Sequence, residues 1–325
     1  MTATTAKAFW ITGAGKGELR AETLREPGAG EARVRTLYSA VSRGTECLVL
    51  RGDVPESEAQ NMRAPFQEGD FPWPVKYGYS AVGIVEEGPE SLRGQNVFCL
   101  HPHQTRFVVP ETALTTLPRD LPPSRAVLAA NMETAVNALW DAAPLAGERI
   151  AVIGAGVVGT LVAALAARVP GVALQLIDTD STKAAIANAF GLTFATPDVA
   201  AGDVDLVIHA SGNPLGLETA LALAGFEGRI VELSWYGTKR ANIALGAAFH
   251  SRRLRLISSQ VGHIGGAMRG RRSHAERMRL ALELLRDPVF DALITGEDDF
   301  SALPLVLPRI AANNAVLCHR IVYDS

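Results

Sequence analysis

The segment Arg149-Ile-Ala-Val-Ile-Gly154-Ala-Gly156-Val-Val-Gly159-Thr160 constrains this chain more than any other. It reads as an apolar strand, a glycine turn and the first turn of an apolar helix. In the spacing G-x-G-x-x-G, Gly154 permits the tight turn and Gly156 lets a ligand approach the backbone. Gly159 allows helix and strand to pack closely. The helix start leaves the N–H groups of residues such as Val157 and Val158 without intrahelical acceptors, at the positive end of the helix dipole. A pyrophosphate suits that end. A second apolar stretch, Val172–Ile177, runs into Asp178. That acid comes about 20 residues after the last glycine, where a carboxylate accepts hydrogen bonds from a ribose diol. The plainer reading of Asp178 is a turn residue or helix cap after a strand. Together these residues predict a βαβ unit that binds a dinucleotide.

Asp178 also bears on which dinucleotide binds. A carboxylate repels a 2′-phosphate and hydrogen-bonds a free 2′-hydroxyl. The residues that follow are Thr179, Asp180, Ser181 and Thr182, with Lys183 the first cation. The expectation is NAD rather than NADP, with Lys183 leaving the preference short of absolute.

From Pro118-Arg-Asp-Leu-Pro-Pro-Ser124 onward, helical and strand patterns alternate: 126–142, 150–153, 158–168, 173–178, 183–190, 206–210, 217–224 and 229–233. Such alternation predicts a parallel, doubly wound α/β sheet. Before it, residues 7–118 read as β-rich. Lys7–Ile11 and Gly17–Ala21 form a hairpin, Ala32–Tyr38, Ser80–Glu86 and Asn96–Leu100 are further strands, and residues 51–76 form an irregular flap. The turn Gly13-Ala-Gly-Lys-Gly17 lacks the spacing of a phosphate loop. Arg255–Val261 is a late strand, His274–Arg286 an amphipathic helix, and Ala315–Tyr323 a strand that returns to the first domain. The expected division is 1–118 with 287–325 as one domain and 119–286 as the other, in line with about 150 residues per domain.

With 48% hydrophobic residues the 325-residue chain has material for two cores, and its net charge of −3 gives no reason to expect nucleic acid or an anionic membrane. No apolar run reaches the roughly 20 residues of a membrane span. Met1–Lys7 has no leader pattern. Cys47, Cys99 and Cys318 are odd in number and widely spaced, which fits a reducing cytoplasm. Arg252, Arg253, Arg255, Arg269, Arg271, Arg272, Arg277 and Arg279 read as a solvated face and loop, or as a site for an acidic substrate group.

The opening hairpin, Arg43-Gly-Thr-Glu46, Tyr77-Gly-Tyr-Ser-Ala-Val-Gly83, the glycine fingerprint and Asp205-Leu-Val-Ile-His-Ala-Ser-Gly212 resemble the medium-chain dehydrogenase/reductase superfamily over essentially the whole chain. Ser42–Glu46, Phe249-His250 and Leu256–Val261 are similar to the branch that includes the bacteriochlorophyllide dehydrogenases. The resemblance implies a GroES-like β-rich catalytic domain beside a Rossmann domain, an active site in the cleft, and a homodimer. It adds Ser211 and Gly212 to the cofactor-binding set of Gly154, Gly156, Val157, Val158, Gly159 and Asp178.

Departures from the family pattern fall at its zinc. Arg43 stands where a Cys ligand precedes Gly-Thr-Asp. Tyr79 replaces a His ligand, and the remaining Cys ligand aligns near Ala130. Residues 100–109, where a four-cysteine lobe would lie, hold no cysteine. Catalytic zinc needs about three N, O or S ligands, so no zinc is expected. The pair His101 and His103 lacks acidic or cysteine partners nearby; His101 reads as structural and His103 as either structural or substrate-contacting. Without a Lewis acid, other donors must stabilise a developing oxyanion. Candidates are Arg43, Thr45, Tyr79 and His103, with Tyr79 expected to titrate below its usual value beside a cation. The plainer roles are ion pairing of Arg43 with Glu46, helix capping by Thr45 and cavity filling by Tyr79. The expected activity is zinc-independent hydride transfer between NAD(H) and a small alcohol or ketone. The alternatives are reduction of an activated C=C bond and dinucleotide binding without catalysis.

Overall fold

A computed structural model describes residues 4–324; residues 1–3, part of the segment read for a leader, lie outside the described residues. The chain forms two compact units, one of Met1–Ala130 with Met278–Ser325 and one of Asn131–Arg277. The division falls beyond the proline-rich segment 118–124. The short helix Pro123–Ala126 is held in the first unit: Ser80 Oγ donates to Val127 O at 2.5 Å, and Arg125 forms a two-pronged pair with Asp291 at 2.6 and 2.7 Å.

The second unit is an α/β sheet of six parallel strands, in the spatial order Thr193–Ala195, Ala173–Ile177, Arg149–Ile153, Val204–His209, Ala224–Glu232 and Arg255–Ser258. This is the 3-2-1-4-5-6 doubly wound order, which reverses between the first and fourth strands. Ile150, Val152, Leu176, Val207 and Ile230 are fully buried. Strands covered on both faces carry continuous apolar runs instead of an alternating pattern, which is why they were readable. Arg277 is buried, not solvated. It donates to Glu133 Oε1 at 3.1 Å, Val261 O at 2.5 Å, His263 O at 3.2 Å and Asn137 Oδ1. Burial raises the Glu133 carboxyl, against the pull of Arg277.

The first unit is β-rich and GroES-like. The hairpin Thr5–Gly13/Lys16–Thr23 extends into a four-stranded sheet. A second sheet runs Ile294–Asp299, Cys318–Val322, Glu31–Val41, Ala81–Glu87, Asn96–Cys99 and Thr115–Thr116, with Arg106–Pro110 also pairing Glu31–Val41. Its core is Val34, Val85, Val97, Phe107 and Val109. The strand Cys318–Val322 lies antiparallel to Glu31–Val41, so late residues complete an early sheet. No helix among the described residues is long and apolar enough to cross a membrane.

Candidate functional site

In the second unit the three glycines have separate physical reasons. Gly154 takes φ 104°, and a Cβ there would lie 2.7 Å from the Ser211 backbone, so the glycine loop and the Ser211–Gly212 turn touch. At Gly159 a Cβ would overlap the Gly154 carbonyl oxygen. At Gly156 a Cβ would meet nothing within 4 Å, and the helix Val157–Ala166 begins there with no side-chain cap. Open space above an uncapped ten-residue helix fits a pyrophosphate. Gly156, Val157 and Val158 are partly exposed.

Asp178 follows the strand Ala173–Ile177. Its Oδ2 accepts from Ala155 N–H at 2.7 Å and its Oδ1 from Asp180 N–H at 3.0 Å. It therefore serves as a turn residue and also ties the second strand to the glycine loop. Each oxygen keeps a lone pair for a ribose hydroxyl. Lys183 is buried.

In the first unit, Ser42 precedes the helix Arg43–Arg51, and Glu46 Oε1 reaches back to accept from Ser42 N–H at 2.7 Å. The Ser42 and Thr45 hydroxyls lie within hydrogen-bonding reach of the Tyr79 phenol. Tyr77–Ser80 is not strand, since the strand begins at Ala81, yet the Tyr77 and Tyr79 rings meet edge-on at 6.0 Å. The Tyr79 phenol is not lowered by a cation. Burial, then the Glu46 charge, pushes it up to about 12 against the Ser42 and Thr45 hydrogen bonds. Arg43 pairs with Asn314 and not with Glu46, while its Nε is buried without a hydrogen-bond partner. A buried N–H left unmade costs about 1–3 kcal/mol.

His103 does not open to solvent. Its ring Nδ1 meets Ser39 Oγ at 2.7 Å and Nε2 meets Glu46 Oε2 at 2.9 Å, with His103, Ser39 and Glu46 each 1% exposed. Ser39 Oγ also bonds the Tyr323 hydroxyl at 2.9 Å. With both nitrogens occupied in the interior, the geometry makes His103 a support for Glu46. His101 stacks on Phe107 at 3.9 Å and on Phe66 at 5.5 Å. Among the described residues no group of three or more His, Cys, Asp or Glu side chains converges as metal ligands would.

A network absent from the sequence reading surrounds Ser211. His209 Nε2 meets Ser211 Oγ at 2.6 Å, and His209 Nδ1 meets Glu232 Oε2 at 2.7 Å. Tyr236 O–H donates to the same carboxylate oxygen at 2.7 Å. The strand ends at His209 and Ser211 lies in the turn after it, so strand alternation does not pair the two. Nor does sequence pair Glu232, because its place opposite His209 depends on strand register.

No family model matches the chain. A Haemophilus influenzae protein described as an uncharacterized zinc-type alcohol dehydrogenase-like protein is 30% identical over 142 residues, spanning 40% of this chain and 41% of that protein. The chain thus matches less than half the length of this curated relative. Among solved structures, Escherichia coli L-idonate 5-dehydrogenase superposes with TM-score 0.81 at 14% identity, covering 99% of both chains. An E. coli CFT073 short chain alcohol dehydrogenase complexed with NADH gives 0.77 at 16% identity, covering 98% of this chain and 99% of that one. A Sinorhizobium meliloti protein described as a zinc-binding dehydrogenase, bound to NADP, gives 0.77 at 19%, with the same coverage. The solved structures share the fold over the whole chain, and sequence likeness to a zinc-type alcohol dehydrogenase-like protein covers part of it.

Proposed function

We propose that the protein is an oxidoreductase that transfers a hydride between NAD(H) and a small alcohol or ketone, without zinc. The observation that carries this reading is the cradle of Gly154, Gly156 and Gly159 with Asp178 tied to its loop. Val157, Val158, Ser211 and Gly212 complete the proposed cofactor contacts. When bound, the dinucleotide supplies the hydride acceptor or donor. Asp178 takes the ribose diol and opposes a 2′-phosphate. The structural neighbours named for L-idonate and for an alcohol support an alcohol substrate.

Tyr79 and Arg43 stand at zinc-ligand places of the family pattern. A phenol pushed up to about 12 keeps its proton at neutral pH and can donate it to a developing alkoxide. The Arg43 Nε–H lacks an acceptor in the protein, which suits a substrate oxygen. Thr45 orients the phenol, and His103 holds Glu46 beneath the same helix. Cys47, Cys99 and Cys318 are buried and free, in keeping with a cytoplasmic location.

The test is turnover of ketone and enone panels by metal-free protein with NADH. Ketone reduction is expected. Turnover of enones alone favours C=C reduction, and NADH binding with no turnover favours a binding protein. Tighter NADH than NADPH binding is expected by fluorescence titration, with the gap narrowed in Asp178→Ala. Equal wild-type affinities would sink the NAD preference.

A further inference from the structure

The chain contains two Ser–His–Glu chains of hydrogen bonds. Ser39–His103–Glu46 is sealed in the first unit. Ser211–His209–Glu232 differs in one respect: its histidine is 0% exposed, but its serine is exposed. It stands at the carboxyl ends of the parallel strands, where the strand order reverses and where such sheets take ligands.

The protons in this network have an order. Tyr236 O–H and Ser234 N–H both donate to Glu232, each at 2.7 Å. Burial works to raise the Glu232 carboxyl, but the hydrogen bonds from His209, Tyr236 and Ser234 outweigh it and hold it below its ordinary value. An ionised Glu232 accepts from His209 Nδ1–H. The Nε2 lone pair then faces the Ser211 hydroxyl, which itself accepts from Asn213 N–H at 3.1 Å. A base oriented by a carboxylate and bonded to an exposed hydroxyl is the arrangement that activates a serine. Gly216 leaves the space for it: a Cβ there would come within 2.6 Å of Ser211 Oγ and would collide with the His209 ring. Gly212 N–H, the amide after the serine, donates at 3.0 Å to the Ser234 hydroxyl, a neutral acceptor that an oxyanion can displace.

We propose that Ser211 is a nucleophile activated by His209 and Glu232, and that it accepts acyl groups from activated carboxylic esters. Ser211 Oγ bonds to the ester carbonyl carbon as its proton passes to His209 Nε2. The bond to the leaving alkoxide or phenolate breaks, and His209 returns the proton to it. Water then attacks the acyl-serine by the same route, releasing the carboxylic acid and restoring the hydroxyl. The inference does not depend on hydride transfer, but a dinucleotide contacting Ser211 and Gly212 would occupy the same place, so acyl transfer belongs to the cofactor-free protein and NADH should slow it.

The test uses the full-length protein with an alkyl fluorophosphonate, which bonds to an activated serine with loss of fluoride, and with p-nitrophenyl acetate. Peptide mass spectrometry is expected to place the phosphonyl group on Ser211, with none on Ser211→Ala. His209→Gln and Glu232→Gln should slow both labelling and p-nitrophenolate release, by roughly 100-fold or more for the histidine. Circular dichroism establishes that each variant is folded, including Ser211→Ala, which leaves His209 Nε2 without its serine partner. No label on wild-type protein, a label elsewhere, or equal rates in folded His209→Gln would overturn the proposal.

Discussion

Gly156 and Gly159 lie three residues apart, yet their substitution should separate ligand binding from stability. Gly159→Ala forces a methyl group onto the Gly154 carbonyl, an overpacking that costs about 1–3 kcal/mol and should lower the melting temperature. Gly156 has φ −78° and open space, so Gly156→Ala should melt within about 1 kcal/mol of wild type. If a pyrophosphate occupies that space, the same variant should lose about tenfold or more in NADH affinity. Calorimetric melting and NADH titration of both variants check the pair; undiminished NADH binding in Gly156→Ala would mean the loop holds no phosphate. Tyr79 and Arg43 offer a different separation. Donors that act only as charge develops change rate without changing cofactor binding. Tyr79→Phe and Arg43→Ala should each lower turnover about 10²–10³-fold with the NADH dissociation constant unchanged. Near-normal turnover in both would leave them without a part in stabilising the developing charge.

At the scale of elements, the turn after the strand Asn96–Cys99 holds a buried imidazole. Burial pushes His101 down to about 3, despite its hydrogen bond to Pro102 O. The unfolded chain binds this proton near pH 6.5 and the folded chain near 3. The neutral ring's contribution is therefore full above pH 6.5 and is lost as the pH falls towards 3, with a slope of at most about 1.4 kcal/mol per pH unit. Urea unfolding at pH 7, 6 and 5 should show this loss, and His101→Phe, which keeps the stack on Phe107, should flatten it. An unchanged slope would assign acid sensitivity to other groups. The inner doubly wound strands, such as Arg149–Ile153 and Val204–His209, are legible because buried parallel strands are apolar throughout, whereas the short, partly exposed edge strand Thr193–Ala195 is not. The hairpin was readable from its glycine turn. The helix Arg43–Arg51 was not, since its buried face includes Glu46, whose partner His103 lies 57 residues away. The strand Ile294–Asp299 ends Glu297-Asp-Asp and alternates exposed with half-buried residues, so its sequence carries no clear strand signal. Glycine loop and Asp178 were legible because their spacing is local. The Ser211 network was not, because strand register sets which side chains meet.

The parallel sheet ends in two edge strands, the three-residue Thr193–Ala195 and the longer Arg255–Ser258. Among the described residues Arg255–Ser258 pairs with Ala224–Glu232 alone, and Leu256 is 39% exposed. Unpaired edges invite strand addition, and two-fold self-pairing is the commonest closed solution. We expect a homodimer by light scattering at micromolar concentration, and a monomer for Leu256→Lys; a monomeric wild type would refute the pairing. The interleaving of the chain has a consequence of another kind. All strands of the parallel sheet lie within Asn131–Arg277, whereas Glu31–Val41 receives its neighbour Cys318–Val322 only when that distant segment has been made. At roughly 5–20 residues per second of synthesis, the wait is on the order of tens of seconds. During that interval the second unit can close while the Tyr38–Val41 end of that strand, beyond the part already paired with Arg106–Pro110, lacks its neighbour on the ribosome. The order of birth thus concentrates the nascent chain's need for chaperones on its amino-terminal third.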